Sequence, residues 1–339
     1  LFNLVDLAGL TDLQEIEGAL EVSYVSRQFE VGNTEAELML PNLLSVGGYI
    51  RLYNDSNFRL TKFHANALAY LGGYLSLHPS YHLSSLSLLS LEEIGGGLTI
   101  LDTALSNLSG LKNLKSVVGN ISIERNRALV EIDDLAGLSS VNRLSINGNS
   151  VLKHLDGLSN VITAAGDVLI TSNSLLRNVD GLSALAEVSG SITLSDNLSL
   201  PDVHGLSGLL SVNDLSLTNN TALRFCGGIY GLVIDDSGVS GTTTIQGNGT
   251  GCETIDDVIL TEGVMPERLA YCYAPGVINL TTQAQVDAFQ ETYGPCDTTM
   301  YGLLLGSESS GNYSISQLNG LAGLKRIQGD LAVSRLFNL

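Results

Sequence analysis

The stretch Gly119-Asn120-Ile121-Ser122-Ile123-Glu124-Arg125-Asn126 contains a phrase that the chain repeats many times. A triplet with apolar outer residues, here Ile121-Ser122-Ile123, is followed three residues later by an asparagine. Four later copies of the triplet end at Ile146, Ile170, Leu194 and Leu217. Successive copies are therefore 23 or 24 residues apart. A fixed period in this range is typical of a solenoid, in which every repeat forms one coil stacked on its neighbours.

The triplets extend beyond this central part. Less regular copies lie at Leu20-Glu21-Val22, Ile50-Arg51-Leu52, Leu75-Ser76-Leu77, Leu98-Thr99-Ile100 and Thr243-Thr244-Ile245, which gives ten in all. The alternation predicts strands with one buried and one solvated face. Segments of the form Gly-Leu-x-x-Leu, such as Gly181–Leu185, lie between the triplets and indicate two or three short strands per coil. Successive coils should then stack as parallel, right-handed sheets.

An asparagine recurs at one corner of the coils. Its copies are Asn126, Asn149, Asn173, Asn197, Asn220 and Asn248. At a tight corner an Asn side chain can bond backbone groups of its own or the next coil, and it tolerates left-handed dihedrals. We expect these residues to form a ladder that satisfies polar groups which burial would otherwise strand. Asn197-Leu198-Ser199 also matches a glycosylation signal, but a buried corner Asn cannot carry a sugar.

The composition argues against several classes of partner. The net charge is −19 and only 15% of the residues are charged. Nucleic acids and anionic membranes are bound through clustered Lys and Arg, so neither is expected. No apolar run reaches the length of a membrane helix, so we expect no membrane insertion in this segment. The sequence begins inside the repeat pattern and shows no signal peptide, so we expect a longer protein around it.

The cysteines are confined to one irregular segment. They are Cys226, Cys252, Cys272 and Cys296. Their spacings fit no zinc signature, and no histidine accompanies them. Cysteines with this distribution are typical of disulfides in an exported protein. We favour the pairs Cys226–Cys252 and Cys272–Cys296, while the other two pairings remain open.

Three segments are predicted. Residues 1–245 form the solenoid, which continues from an upstream unit; residues 246–300 form a disulfide-stapled cap or linker; and residues 301–339 begin the next solenoid. Within the cap, the run from Thr281 to Phe289 predicts one short capped helix with Val286 and Phe289 on one face. Such a cap is needed because a solenoid end exposes its core.

These phrases together resemble a known family. The Leu-x-Ile-x-x-Asn and Gly-Leu-x-x-Leu coils, with the helix sequence Thr-Gln-Ala-Gln-Val-Asp-Ala-Phe between cysteines, are similar to the receptor L-domain type of leucine-rich repeat. They are especially similar to the tandem L-domain proteins of Bacteroidetes, which are large exported surface proteins. The resemblance covers nearly the whole chain. It implies a right-handed β-helix with three strands per turn and export, often by type IX secretion. The asparagine is missing after Leu52, Leu77 and Ile100, which departs from the pattern.

A second, longer repeat is visible in the sequence. Leu1-Phe2-Asn3-Leu4 recurs as Leu336-Phe337-Asn338-Leu339, at an offset of 335 residues. If the sequence continues after Leu339 as it does after Leu4, the next triplet follows Val333 at the 24-residue coil spacing. We therefore expect this chain to be one unit of a tandem array of near-identical units, each of about 335 residues. A chance match in a leucine-rich chain is the alternative.

The titratable residues give no catalytic or metal constellation. Among the five histidines, His78 and His82 are close in sequence but lack a third ligand. Asp235-Asp236 and Asp256-Asp257 leave weak calcium binding open, although neither resembles an EF-hand loop. A carbohydrate-active β-helix enzyme would need clustered carboxylates on one face. The outward triplet positions are mainly Ser and Thr, so we expect no catalytic residue, no metal site and no cofactor.

One surface patch is predicted near the beginning of the chain. Strand alternation places Tyr49, Arg51 and Tyr53 outward on one coil and Tyr74 and His78 outward on the next. Tyr49 over Tyr74 and Tyr53 over His78 would form an exposed aromatic patch, and such patches usually contact a partner. Stacking that only stabilises the irregular end of the solenoid is the alternative.

These features favour a non-catalytic, extracellular structural or adhesive protein at the cell surface. It would be one unit of a tandem-repeat filament or adhesin, and its partners would be copies of itself and another cell's surface. The alternative is a ligand-binding receptor-like ectodomain, and a carbohydrate-active enzyme is the least supported class.

Overall fold

The structure is a computed structural model of the chain. It describes the residues in the following ranges: 8–24, 35–54, 59–234, 238–260, 271–272, 278–293, 298–299, 303–306, 315–327 and 330–334. The chain divides into two compact units, Leu1–Val264 and Met265–Leu339. The predicted segment boundaries near residues 245 and 300 stay predictions, and each unit is described by itself below.

The first unit is built around one parallel sheet of ten strands, here called the main sheet. Its strands are Leu20–Tyr24, Ile50–Asn54, Leu75–Ser80, Leu98–Leu101, Ile121–Glu124, Leu144–Asn147, Val168–Thr171, Ile192–Ser195, Leu215–Thr218 and Thr243–Gln246. Neighbouring triplets pair residue for residue, so that Ile100 lies beside Ile123 and Ile123 beside Ile146. The ten predicted triplets are therefore the ten strands of a mostly parallel, all-β, solenoid-like unit.

Shorter parallel strands complete the coils. Five form one sheet: Glu15–Ile16, Ser45–Val46, Tyr70–Leu71, Glu93–Ile94 and Ser116–Val117. Four form a second: Ser140–Val141, Thr163–Ala164, Glu187–Val188 and Ser211–Val212. In the first coils a third side is a three-stranded sheet of Glu35–Met39, Arg59–His64 and Ser85–Ser87.

From residue 109 onward, a 3₁₀ turn replaces the strand on this third side. These turns are Ser109–Leu111, Asp133–Leu135, Asp156–Leu158, Asp180–Leu182, His204–Leu206 and Gly227–Ile229, and another 3₁₀ turn, Ala8–Leu10, precedes the first coil. The later coils thus have two strands and a 3₁₀ turn rather than the three strands that the resemblance implies.

The glycine of the Gly-Leu phrase allows the coils to pack closely at these turns. A Cβ added at Gly181 would fall well inside van der Waals contact of the Leu155 carbonyl oxygen in the preceding coil. The same conflict arises at Gly157 and Gly205. Because only glycine permits this backbone approach, the turn and its recurring glycine go together. The leucine that follows, such as Leu182, is 1% exposed and belongs to the continuous apolar core.

The regular coils end in a segment held by a disulfide. Cys226 and Cys252 are bonded, with their Cα atoms 5.6 Å apart, which confirms one predicted pair. The enclosed loop contains helix α1, Tyr230–Val233, whose Leu232 and Val233 join the core. Cys296 lies outside the described residues, so the pair Cys272–Cys296 stays a prediction.

A second helix follows the disulfide. Helix α2 spans Ile255–Leu260, and its Val258 is buried against the same core. The Asp257 carboxylate accepts hydrogen bonds from the backbone N–H groups of Glu253 and Thr254, both at 2.8 Å. These bonds hold the pKa of the Asp257 carboxyl below its usual range. Asp257 thus caps the first turn of α2, whereas Asp235 and Asp236, the other residues considered for calcium, lie outside the described part.

The second unit has its own small core. Helix α3 spans Gln283–Asp287. Thr282 is its N-cap residue and forms a capping box with Gln285. Helix α4, Phe289–Tyr293, follows directly, so the single predicted helix is two short ones that meet at Ala288. Val286 and Phe289 are both 0% exposed and face one cluster, as predicted.

Two three-stranded parallel sheets accompany these helices. One contains Ile278–Leu280, Leu303–Gly306 and Leu331–Ser334, and the other contains Tyr271–Cys272, Thr298–Thr299 and Arg326–Ile327. A 3₁₀ turn, Asn319–Leu321, carries the Gly-Leu phrase of this unit. In the described ranges, no helix is long and apolar enough to span a membrane.

Candidate functional site

The outer face of the main sheet is mainly polar along the middle residues of its triplets. In the regular coils the middle residues of the triplets point outward, while their neighbours are buried in the core. From first strand to last they are Glu21, Arg51, Ser76, Thr99, Ser122, Ser145, Leu169, Thr193, Ser216 and Thr244. Seven of these ten residues carry a hydroxyl group, which can supply hydrogen bonds to a partner.

The first coils carry the aromatic part of this face. The rings of Tyr49 and Tyr74 are stacked, with centroids 4.5 Å apart and planes at 6°. Tyr74 is 37% exposed, so the stack reaches solvent. The Tyr49 hydroxyl donates to the Glu21 carboxylate at 3.1 Å, and this hydrogen bond raises the pKa of Tyr49 above its usual value. The stack is thus fixed by the carboxylate of the coil before it.

Arg51 and Tyr53 extend the patch along the same strand. The guanidinium carbon of Arg51 lies 5.7 Å from the Tyr53 ring centroid, within the range of a cation–π contact. The pairing of this strand with the next is regular as far as Leu52 and then shifts by one residue. This shift in register occurs at Tyr53. The expected stacking of the Tyr53 ring on His78 therefore stays a prediction. Burial lowers the pKa of His78, which favours its neutral form.

The corner asparagines are joined by hydrogen bonds that run from coil to coil. Asn173 Oδ1 accepts from the Asn149 backbone N–H at 3.0 Å, and its Nδ2 donates to the Ile146 carbonyl at 2.9 Å. The same pair of bonds recurs down the row, whose members Asn126, Asn149, Asn173, Asn197 and Asn220 are all 0% exposed. Asn248 continues it at 3.0 Å from the Asn220 N–H. We call this row the Asn ladder.

Toward the beginning of the chain, residues other than asparagine continue the Asn ladder. The Thr103 N–H donates to Asn126 Oδ1 at 3.0 Å, so a threonine occupies the next ladder position. Ser80 pairs with Thr103 and is itself 0% exposed. The Ser80 hydroxyl donates to the Leu52 carbonyl at 3.2 Å. Hydroxyl side chains thus replace the missing amides after Leu77 and Ile100.

The left-handed residue at the corner is the one before the asparagine. Arg125, Ser172, Asp196 and Asn219 have φ values between 53° and 58°, and Gly148 has 68°. The asparagines of the Asn ladder are absent from the positive-φ residues of the described chain. The Asn side chain therefore secures the corner by hydrogen bonds, whereas the dihedral strain falls on its neighbour.

Two open depressions lie elsewhere on the first unit. One, of about 580 Å³, crosses the short strands and is lined by Ser116, Ser140, Thr163 and Glu187 among others. The other, of about 400 Å³, contains Tyr81 and the ion pair between Arg125 and Asp102 at 2.7 Å. Neither lining places a histidine or cysteine beside a hydroxyl, so neither supports nucleophilic catalysis.

A group of possible metal ligands was missed in the sequence. The side chains of Glu131, Asp133 and His154 bring one ligand atom each to within 4.8 Å of one another. They belong to two successive coils, so no local motif links them. The sequence indicates their proximity only through the coil period, because His154 follows Glu131 by 23 residues.

The Asp214 carboxylate accepts hydrogen bonds from residues of both neighbouring coils. It accepts from the Thr242 backbone N–H at 2.8 Å and from the Thr242 hydroxyl at 2.9 Å. The Ser191 hydroxyl adds a third bond at 3.1 Å. These hydrogen bonds, the backbone one foremost, hold the pKa of the Asp214 carboxyl below its usual range.

Comparison with known proteins identifies no relative. No protein-family model matches the chain, and neither a curated protein nor a solved structure matches it significantly.

Proposed function

We propose that the chain is a non-catalytic, extracellular structural or adhesive protein, one unit of a tandem-repeat surface filament. Its coils would be those of a right-handed β-helix of the receptor L-domain type. The protein would associate with copies of itself and attach to another cell's surface. The disulfide Cys226–Cys252 supports an oxidising, extracellular location.

The observation that carries this proposal is a pair of exposed apolar residues on the last described strand of the second unit. In the second unit, Leu303 and Leu305 are 1% and 2% exposed. Leu331 and Val333 pair with them in register on the next strand, yet both are 57% exposed. In a stack of coils such residues are buried by the following coil. Covering both would contribute about 1 to 2 kcal/mol each, because full burial of such a side chain is worth roughly 1.5–3 kcal/mol.

The first coil of the chain supplies a matching surface. Leu20 and Val22 carry the same triplet pattern and are only partly buried against the core. In the proposed tandem array, the 335-residue offset between the repeated tetrapeptides would put this triplet one coil after Val333. The two tetrapeptides themselves lie outside the described residues. We infer that the coil around Leu20 of one unit stacks on the strand around Leu331 of another.

Self-association measured by light scattering and electron microscopy tests this proposal. The wild-type chain should associate as its concentration rises and form strings of units. The double variant Leu331→Asp with Val333→Asp should remain monomeric, since charges then occupy the stacking row. Ala332→Asp is the matched control, because Ala332 is exposed on the same strand at the alternate position. A monomeric wild type at all concentrations, or a double variant that still associates, contradicts the proposal.

The full-length gene gives a second test. It should contain another copy of the sequence from Leu43 to Gly48 close to 335 residues away. A gene without such a copy contradicts the tandem array.

A receptor-like ectodomain is the second candidate, and the stacked Tyr49–Tyr74 pair favours it. In that case Tyr74→Ala should abolish binding of the labelled protein to cells and leave self-association unchanged. Loss of cell binding in the Leu331→Asp, Val333→Asp variant alone would instead favour the filament.

A further inference from the structure

We propose that Glu131, Asp133 and His154 form a binding site for a divalent transition-metal ion such as zinc. One ligand atom from each lies within 4.8 Å of the others. A tetrahedral zinc site has ligand atoms about 3.3 Å apart, given bond lengths near 2.0–2.1 Å. Asp133 is exposed and the other two are half-buried, so small side-chain rotations suffice to close the site. The inference is independent of the proposed function.

The state of the histidine ring is the observation that points to a cation. The Nδ1 atom of His154 is buried and has no hydrogen-bond partner. It nevertheless lies 3.3 Å from the Asp133 carboxylate and 3.4 Å from that of Asp156. A buried ring nitrogen without a hydrogen bond is unfavourable. A metal ion held between this nitrogen and the carboxylates of Glu131 and Asp133 would satisfy it.

The two coils that carry these residues depart from the pattern of their neighbours. At the equivalent position, Asn107, Asn178 and Asp202 accept a hydrogen bond from the backbone N–H two residues later, at 3.0 to 3.2 Å. This bond caps the 3₁₀ turn. In the two coils between Asn107 and Asn178, the equivalent position is occupied by Glu131 and His154. His154 instead places its Nδ1 atom beside the Asp133 carboxylate of the preceding coil.

The donor set selects the class of metal. Calcium and magnesium take only oxygen ligands, and calcium uses six to eight of them. One imidazole nitrogen with two or three carboxylates suits zinc and its first-row neighbours. Because the site spans adjacent coils, a bound ion would also link them and stabilise the folded state.

Titration of the whole chain with zinc chloride, followed by calorimetry near pH 7.5, tests the proposal. The wild type should bind one ion per chain, and its melting temperature should rise with zinc. His154→Ala should reduce the affinity at least tenfold and remove the melting shift. Glu131→Gln keeps the side-chain size and should weaken binding in the same direction.

His204→Ala is the matched control, since His204 lies at a 3₁₀ turn two coils further on. This variant should bind zinc as the wild type does. The proposal is overturned if the wild type shows no saturable zinc binding, or if His154→Ala binds with unchanged affinity and stoichiometry. Saturable calcium binding without zinc binding would also overturn it.

Discussion

Replacement of Asn173 by alanine removes only a few side-chain atoms, but it should strongly lower the free energy of unfolding of the first unit. Asn173 is fully buried in the middle of the Asn ladder. The change removes the acceptor of the Asn149 N–H and the donor to the Ile146 carbonyl, at 3.0 and 2.9 Å. Each buried group left without its partner costs roughly 1–3 kcal/mol, so we expect a loss of about 2 to 6 kcal/mol.

Urea denaturation followed by far-ultraviolet circular dichroism measures this loss. Because coils interact mainly with their neighbours, hydrogen exchange should show lost protection first around the coil of Asn173. The matched control is Asn160→Ala, which removes an exposed hydrogen bond of 2.8 Å to the Ala136 carbonyl. This control should cost about 0.5 kcal/mol or less, as surface substitutions usually do. Equal effects of the two variants, both below about 1 kcal/mol, would refute the reasoning.

Three further predictions concern other parts of the first unit. Reduction of the Cys226–Cys252 disulfide, which closes a separation of 26 residues, should lower the unfolding free energy by about 3 kcal/mol in urea titrations. Gly181→Ala, whose Cβ would meet the backbone of the preceding coil, should lower the melting temperature by several degrees, whereas Gly166→Ala, with 3.5 Å of clearance, should leave it nearly unchanged. Because hydrogen bonds lower the folded-state pKa of Asp214, its charge contributes stability above the unfolded-state pKa. Urea titrations at several pH values should therefore show that the advantage of the wild type over Asp214→Asn is lost as the pH falls through that lowered pKa; an advantage independent of pH would contradict this.

The main sheet was predictable because its signal is local and repeated. The alternation within Ile121–Glu124 sets which side chains face the core, and the 23- or 24-residue spacing sets which strand lies beside it. The disulfide Cys226–Cys252 and the buried pair Val286 and Phe289 also followed from short patterns. The break at Ala288 between α3 and α4 did not, since nothing in the residue types there requires it.

The corners and the candidate metal ligands were harder to predict. The left-handed position holds Arg125 in one coil and Ser172 in another, residue types that give no sign of positive φ. The 3₁₀ turns depend on a backbone approach between coils, which a single coil does not reveal. Likewise, Glu131 and His154 become neighbours only once the coils are stacked. In each case the missing information is the contact between coils rather than the sequence of one coil.

The Asn ladder also determines how the unit would respond to mechanical force. Its hydrogen bonds, like those of the main sheet, connect each coil to the next. A tensile load applied at the first coil would therefore strain the hydrogen bonds between one pair of coils before those between the next pair. Each row that yields would free a coil of 23 or 24 residues, equivalent to about 80 Å of extended chain. A protein built in this way would lengthen in steps and absorb work while its remaining coils stay folded.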